Sequence, residues 1–444
     1  MQLPIDFPGP ATLDETELKN GNKNKVRPID GAFHNWYRFV LSFPPHLVRH
    51  YIRKFGINKN KVIVDPFCGT GTTIVESKLD GIPAIGVEAN PFAHFATTVK
   101  INWEIDAEKF QSVARAAAHE TIQTLKAEGI DDNFLFRGNI QELNLKTIDY
   151  QTKKLLITNS ISPLPLHKTL TVLRILHKYQ DQPYYGHTLL ALANALVFKI
   201  SNLKFGPEVG VIKPKLDYPV VQAWLNEIKK IAKDIHSVKT KTYPPCQAKL
   251  GDSRQISQIL DHESVDAVIT SPPYPNEKDY TRTTRLESVI LGFISNLEEL
   301  RKFKKSLIRS NTRGIYKNDD DDKWIANNEG ILKLAEKIER RRIELAKSSG
   351  FEKLYSRVTL QYFGGMAKHF ADLRAVLKKG AQLAYVVGDQ ASYFQVIIRT
   401  GELLAEIAQS LGYELVCIDL FRTRFATATS SELREEVVVL RWPG

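Results

Sequence analysis

The sequence predicts an α/β protein: an open, mostly parallel sheet of nucleotide-binding type, interrupted by long helical insertions. Three observations predict it. A short β-branched run, KVIVDPF at 61–67, breaks at a glycine-rich turn, CGTGTT, and resumes as the helical run TTIVESKLDG. A second apolar run, PAIGVEANP, ends in an acid, Glu88. Two more apolar runs, SVDAVIT at 264–270 and QLAYVVGD at 382–389, bring the sheet pattern back far downstream. Strand, glycine turn, helix, strand and acid make up the first half of a nucleotide-binding sheet.

The elements follow in order. The first 33 residues are expected to form an arm, polar and rich in Pro, Gly and Asn. PHLVRHYIRKFG, 45–56, carries Leu47, Val48, Tyr51, Ile52 and Phe55 at helical spacing and stops at Gly56. After the two strands, residues 106–128 read as a helix rich in Ala, Glu and Lys. From 130 to 245 two helices stand out, the apolar 187–201 and the amphipathic 220–238, with NLKFGPEVGVIKPKLDYP read as a loop between them. Residues 301–350 read as a charged helical insert, with 14 Lys and Arg against 8 Asp and Glu. Its run Asp319–Asp322 reads as a solvated loop. FADLRAVLKKG supplies a helix and turn before the 382–389 strand, and YELVCIDLFRTRF with REEVVVLRW reads as a closing antiparallel hairpin. The expected organisation is a sheet domain assembled from 34–100, 247–290 and 355–444. Two insertions interrupt it: 101–246, a candidate target-recognition segment, and 291–354, a candidate DNA-contacting segment.

The chain has 444 residues, 43% hydrophobic and 25% charged, as in globular proteins. No run approaches the ~18–20 apolar residues of a membrane span, and the N-terminus lacks a basic start followed by an apolar stretch. No membrane role is expected. Cys68, Cys246 and Cys417 are far apart and have no metal-ligand spacing. That predicts free thiols, no bound metal and a reducing, cytoplasmic setting. The net charge of +11 favours a polyanionic partner.

Chemistry concentrates in two places. In Asp65-Pro66-Phe67-Cys68-Gly69-Thr70-Gly71-Thr72-Thr73, Gly69 and Gly71 allow a sharp turn that a ligand can approach closely. The helix starting near Thr72 offers unpaired N–H groups. The spacing is neither G-x-G-x-x-G nor a P-loop, and Asp65 would repel phosphate but suit a ligand carrying an ammonium and a sulfonium. Glu88 stands where an acid accepts hydrogen bonds from ribose hydroxyls. Asp252, in LGDSRQI, stands where it could accept from an adenine amino group. An acid at each of these three places suggests S-adenosylmethionine.

The second place is Thr270-Ser271-Pro272-Pro273-Tyr274, directly after an apolar strand. The two prolines stop the strand and remove two N–H groups, so the local main chain offers only acceptors. Ser271 and the Pro272 carbonyl could then hold an exocyclic amino group, with Pro273 fixing the backbone and Tyr274 offering a face on which an extruded base stacks. The amine nitrogen is its own nucleophile. Methylation at carbon 5 of cytosine would need a cysteine here, and Cys68 reads instead as a packing residue of the turn.

At these motifs the sequence resembles the amino-methylating DNA methyltransferases, particularly the cytosine-N4 enzymes of restriction-modification systems. DPFCGTGTT looks like their cofactor motif and TSPPY like their catalytic motif. SPPYPNEKDYTR is similar to the longer form of one branch. HNWYRFVLSFPPHLVRHYI looks like their N-terminal cofactor motif, whose aromatic residues, here Phe39 or Phe43, flank the methionine part. The resemblance covers roughly 34–100, 247–290 and 355–442. It implies a Rossmann-like S-adenosylmethionine-dependent methyltransferase sheet with a reversed final strand, with double-stranded DNA as substrate. It also implies a cognate restriction endonuclease acting on the same site. In that family S-P-P-Y favours cytosine, and D-P-P-Y or N-P-P-Y adenine. The cofactor motif precedes the catalytic one, so either insertion could read the target. Arg282 and Arg285, just after the catalytic turn, are candidate DNA contacts and equally candidate salt-bridge partners. Three other readings stand beside this one: adenine-N6 methylation on the same scaffold, a transfer-RNA guanine-N2 methyltransferase, and a catalytically silent DNA-binding protein.

Overall fold

The computed structural model describes residues 27–38, 42–206, 208–276, 278–426 and 431–444. Its centre is a seven-stranded sheet. The strands are β1 (Ile63–Asp65), β2 (Ala84–Glu88), β5 (Cys246–Leu250), β6 (Val265–Thr270), β7 (Leu377–Gly388), β8 (Glu414–Ala426) and β9 (Ser431–Arg441), in the spatial order β5-β2-β1-β6-β7-β9-β8. The first five of these run parallel. β9 lies antiparallel between β7 and β8, so it alone is reversed. A separate ribbon pairs β3 (Leu203–Phe205) with β4 (Val209–Val211), within the segment expected to be a loop.

Strand alternation divides the core between two faces. On one face Ile63, Ala84, Ile269, Val386 and Val439 pack with the helices Pro45–Lys54, Thr72–Leu79 and Pro91–Lys100. On the other, Val64, Val87, Val268, Tyr385 and Val438 pack with the helices Tyr355–Leu373 and Thr400–Ser410. The apolar runs are near-continuous because both faces are covered.

The 101–246 insertion holds the helices Ala107–Ala127, Pro163–Leu176, Tyr185–Ala195 (extended by a π-turn over Leu196–Ile200) and Val220–Val238. They share one continuous apolar core with the first face. Asp106 caps the first of them, accepting from Glu108 and Lys109 N–H. Lys168, fully buried, lies 2.6 Å from Asp217 and 3.2 Å from Asp132. Asp132 also accepts from Val220 and Val221 N–H at the start of the fourth helix. This ion cluster pins the helices together.

The charged insert contains the helices Leu297–Lys305 and Glu329–Glu344. The second lays Ile331, Ala335 and Ile338 on the second face, as its apolar spacing requires. The acidic run beside it is not a solvated loop. Asp319 pairs with Arg309 at 2.9 Å, and Asp321 pairs with the buried Arg254 at 2.5 Å. Part of the insert's positive charge is matched internally, by Lys333–Glu329, Arg341–Glu344 and Arg342–Glu339. Among the described residues no helix is long and apolar enough to cross a membrane.

Candidate active site

The strand order reverses between β1 and β6, paired through Ile63↔Ala267 and Val64↔Val268. Ligands of open α/β sheets bind beyond the carboxyl ends of the strands at such a switch point. The glycine turn leaves β1 there and the serine-proline turn leaves β6. Two hydrogen bonds tie them together: Thr270 Oγ1 donates to Asp65 Oδ1 at 2.6 Å, and Thr73 Oγ1 donates to the Ile269 carbonyl at 3.0 Å. Above them opens a cavity of 430 Å³. It brings together Phe43, Pro66, Phe67, Gly69, Thr72, Glu88 and all four residues from Ser271 to Tyr274.

The turn needs its glycines. Gly69 has φ +53° and Gly71 φ +84°, both left-handed. A Cβ on Gly71 would sit 2.7 Å from Thr97 Cγ2. Thr97 is held there because its hydroxyl donates to the Gly69 carbonyl at 2.9 Å. Lys100, buried behind the turn, donates to the Thr70 carbonyl at 3.0 Å, and burial lowers its ammonium pKa to about 7. The helix beginning at Thr72 has no side-chain cap, and its first residue borders the cavity.

Glu88 ends β2 at the cavity wall. One carboxylate oxygen accepts from Gly69 N–H and the other from Asn90 N–H, both at 2.7 Å. These bonds aim the carboxylate and leave lone pairs for a ligand. Burial, opposed by the two N–H donors, raises its pKa to about 7. Phe67 rests edge-on against His369, with 4.9 Å between ring centroids. His369 donates from Nδ1 to the Ser253 carbonyl at 2.9 Å and accepts at Nε2 from the Tyr385 hydroxyl at 2.7 Å. Burial lowers its pKa to about 4, so the ring is neutral.

At the other turn, Ser271 Oγ donates to the Val386 carbonyl at 3.1 Å, and it also interacts with the Tyr274 hydroxyl. Tyr274 N–H donates to the Tyr280 hydroxyl at 3.2 Å, fixing the exit of the turn. The Tyr274 ring packs beside Gly388, where an added Cβ would lie 3.3 Å from its Cε2.

Three candidates are placed differently from the sequence expectation. Asp65 is fully buried and does not line the cavity. It accepts from Thr270 Oγ1 and Phe67 N–H and so pins the turns; burial raises its pKa to about 6. Asp252 starts a short helical turn, and Arg254 engages both its oxygens, at 2.6 Å from Nη2 and 3.0 Å from Nε. Only its neighbours Gly251 and Ser253 border the cavity. Arg285 is buried, donating to the Thr281 and Leu155 carbonyls and the Thr281 hydroxyl, and so serves the fold rather than a DNA backbone. Arg282 is half-buried, and its Nε is buried without a partner. Phe39 lies outside the described residues. Cys68 packs against Gly86 and Thr97, as its reading as a packing residue requires.

Sequence reasoning missed the rest of the cavity wall. Lys278 and Asn311 line it, joined by Asn311 Nδ2 donating to the Lys278 carbonyl at 3.2 Å. Phe421, Arg422 and Glu435 of the closing hairpin line it too, and Arg422 grips Glu435 through Nε at 2.6 Å and Nη2 at 2.5 Å. The alternation of charged and aromatic residues in FRTRF was the available signal.

A parallel sheet with one reversed strand, a glycine turn facing an acid, and a proline-locked strand end opening into the same cavity define an α/β methyltransferase. The comparisons agree. A family model described as DNA methylase matches residues 14–98. The chain is similar to the type II methyltransferase M.BsoBI of Geobacillus stearothermophilus, 27% identical over 473 aligned residues, covering 97% of this chain and 88% of that protein. It is similar to the type II methyltransferase M.AvaI of Anabaena variabilis, 23% identical, covering 95% and 88%. A shorter likeness, 30% identical over 124 residues, is to the type II methyltransferase M.MjaII of Methanocaldococcus jannaschii, covering 27% of this chain and 23% of that protein. These likenesses support an amino-methylating DNA methyltransferase of restriction-modification type, a family that includes both adenine-N6 and cytosine-N4 enzymes.

Proposed function

We propose that this protein transfers the methyl group of S-adenosylmethionine to N4 of cytosine in double-stranded DNA, protecting sites that a cognate restriction endonuclease would cut. The observation that carries the reading is the orientation of Ser271. Its hydroxyl proton is committed to the Val386 carbonyl, so its oxygen meets the cavity as an acceptor. Pro272 has no N–H, and its carbonyl is the second acceptor. An exocyclic amino group has two N–H donors, and two acceptors orient it with its lone pair outward. As the nitrogen takes on positive charge, both bonds strengthen. The surplus proton of the nitrogen passes by way of these acceptors to water, and no covalent link to the protein is needed.

The cofactor site fits the donor by its chemistry. Bound S-adenosylmethionine supplies an electrophilic methyl carbon on a sulfonium. Glu88 would accept from the ribose hydroxyls, Phe67 would lie against the adenosine part and Phe43 near the methionine end. The glycine turn keeps side chains out of the way. A target cytosine in a duplex must leave the stack to reach Ser271. Carbon-5 chemistry lacks its nucleophile: of the three cysteines only Cys68 borders the cavity, and burial pushes its thiol pKa well above the usual range. The preference for cytosine over adenine rests on serine at position 271.

The test is mass spectrometry of nucleosides from DNA incubated with the protein and isotopically labelled S-adenosylmethionine. Labelled N4-methylcytosine is the expected product. Labelled N6-methyladenine would keep the chemistry and change the base, and label found only in transfer RNA would overturn the substrate.

A further inference from the structure

The chain leaving the catalytic turn folds back on itself. The bond from Tyr274 N–H to the Tyr280 hydroxyl closes a loop that contains Lys278. Both main-chain groups of Lys278 are already taken. Its N–H donates to Asn276 Oδ1 at 3.1 Å, and its carbonyl accepts from Asn311 Nδ2 at 3.2 Å. Asp279, the next residue, is buried and paired with Lys304 at 3.1 Å, so the backbone is held on both sides. Lys278 borders the cavity, and its side chain is what it has left to offer a ligand. Its ammonium has no task in the fold. Other cations of the cavity wall are matched: Lys304 by Asp279, Arg309 by Asp319 and Arg422 by Glu435. Arg38 also borders the cavity but is exposed to water. Lys278 is half-buried, and among the described residues its Nζ makes no hydrogen bond or ion pair. A cation partly withdrawn from water without a partner is costly until a ligand supplies one.

The position of Lys278 narrows what that ligand is. Burial lowers its pKa and Arg424 lowers it further, while Glu208 and Glu435 oppose them. Glu435 adjoins the base platform, since a Cβ added at Gly388 would lie 3.3 Å from Glu435 Cγ and 3.3 Å from Tyr274 Cε2. Lys278 therefore belongs to the part of the cavity around Tyr274 and not to the part around Glu88. Arg422 and Arg424 balance Glu435 and Glu208, so the surroundings are not a basic patch of the kind that gathers phosphates. A neutral carbonyl suits such a lone donor. Once Ser271 and the Pro272 carbonyl hold the amino group, the rest of that edge of a cytosine carries N3 and then O2. Adenine held in the same way presents N1 and then a C2–H. An ammonium placed at O2 is paired by cytosine and left unpaired by adenine, and discrimination of this kind comes mainly from the donor left without a partner.

We propose that Lys278 is a specificity-determining residue: its ammonium donates to O2 of the target cytosine, and adenine in the same place leaves it without a partner. The proposal rests on the reading of the protein as a cytosine-N4 DNA methyltransferase.

The experiment first maps the methylated base on plasmid DNA with the parent protein. Two synthetic duplexes carrying that site then serve as substrates. One has cytosine at the target position. The other has a C-nucleoside of 2-aminopyridine, which keeps the amino group and ring nitrogen of cytosine and lacks O2. Lys278→Met retains much of the side-chain stem and removes the charge. It is expected to slow single-turnover methylation of the cytosine duplex by about 10–100-fold. On the duplex without O2 it should run within about threefold of the parent protein, because both proteins then lack the same bond. Comparing the two proteins on one substrate cancels the intrinsic reactivity of the analogue. Calorimetry should find S-adenosylmethionine affinity within about threefold of the parent value, which also shows that the variant is folded. An equal fall on both duplexes would make Lys278 a backbone contact, and a lost cofactor affinity would assign it to S-adenosylmethionine. Either result, or a parent rate on the cytosine duplex, overturns the proposal and leaves the cytosine-N4 reading standing. A parent protein that labels adenine, or no DNA base at all, overturns that reading and the proposal with it before any variant is made.

Discussion

Substituting alanine at Gly71 tests how closely the cofactor turn is built. Two costs arise, and each can be worked from its surroundings. The residue sits at φ +84°, which for an L side chain costs about 1–2 kcal/mol. Its new Cβ would meet Thr97 Cγ2 at 2.7 Å and Oγ1 at 3.0 Å, where carbon atoms ordinarily rest about 3.5–4.0 Å apart. Crowding of that kind costs a further ~1–3 kcal/mol. Thr97 cannot turn aside without releasing the Gly69 carbonyl, worth about 0.5–1.5 kcal/mol. The expected total is roughly 2–5 kcal/mol, divided between loss of fold stability and loss of S-adenosylmethionine affinity as the turn shifts. Gly69→Ala is the control. It shares the left-handed backbone, but no atom lies within 4 Å of its added Cβ. It should therefore cost only the conformational part, about 1–2 kcal/mol. Urea denaturation and calorimetric titration of the cofactor measure the two shares. Thr97→Ser, which deletes Cγ2 and keeps the hydroxyl, should recover part of the Gly71→Ala loss in a double variant. Equal losses for Gly71→Ala and Gly69→Ala, with no recovery from Thr97→Ser, would refute the reasoning.

Glu88, with its pKa raised to about 7, is largely protonated below that pH, so affinity for S-adenosylmethionine should rise with pH through about 7 and then level off. Glu88→Gln should bind more weakly with a flat profile, and a wild-type titration unchanged from pH 5.5 to 8.5 would count against Glu88 as the ribose acceptor. Ser271→Ala should lower single-turnover methylation by about 10–100-fold through loss of one acceptor to a developing cation. Calorimetry should find its cofactor affinity unchanged, and an unimpaired rate would remove Ser271 from the chemistry. Arg285→Met should destabilise the fold by about 2–4 kcal/mol, since the buried carbonyls it serves lose their donors. The salt dependence of DNA binding should stay the same. A shallower salt slope in this variant would restore Arg285 as a phosphate contact.

The parts of the fold that bury both sheet faces were legible in the sequence. β1, β6 and β7 are β-branched and apolar because helices cover them on either side, and the turns after β1 and β6 carry Gly and Pro for conformational reasons local to the turn. β5 was missed because it is an edge strand. CQAKL alternates apolar and polar residues along a half-exposed edge, so it has neither the apolar density nor the β-branching of its neighbours. The helix Pro163–Leu176 was not read, because Ser162, Pro163 and Pro165 look like a break; in fact both prolines fall in the first turn, where no N–H is required. Within the site, Glu88 and Ser271 were legible because each depends on the strand end that carries it. Asp252 was not, because Arg254 comes around to engage it and continues to Asp321, a residue far along the chain. No single-residue pattern carries such a pairing, although the D-x-R spacing was a hint. For Arg285 the sequence left open a DNA contact or a salt bridge; the fold instead gives it the Leu155 carbonyl of the helical insertion.

The place of β9 has a consequence for the order of assembly during synthesis. β8 leaves the ribosome before β9, yet it can join the sheet only through β9, which must slip in between it and β7. Until then β7 presents an unpaired edge over Tyr385, Val386 and Val387, the kind of edge that recruits stray strands. The Val386 carbonyl that orients Ser271 belongs to that same stretch. A nascent chain therefore holds an open edge beside Ser271 until β9 emerges, and the pairing of β9 closes that edge and brings Glu435 to the cavity wall together.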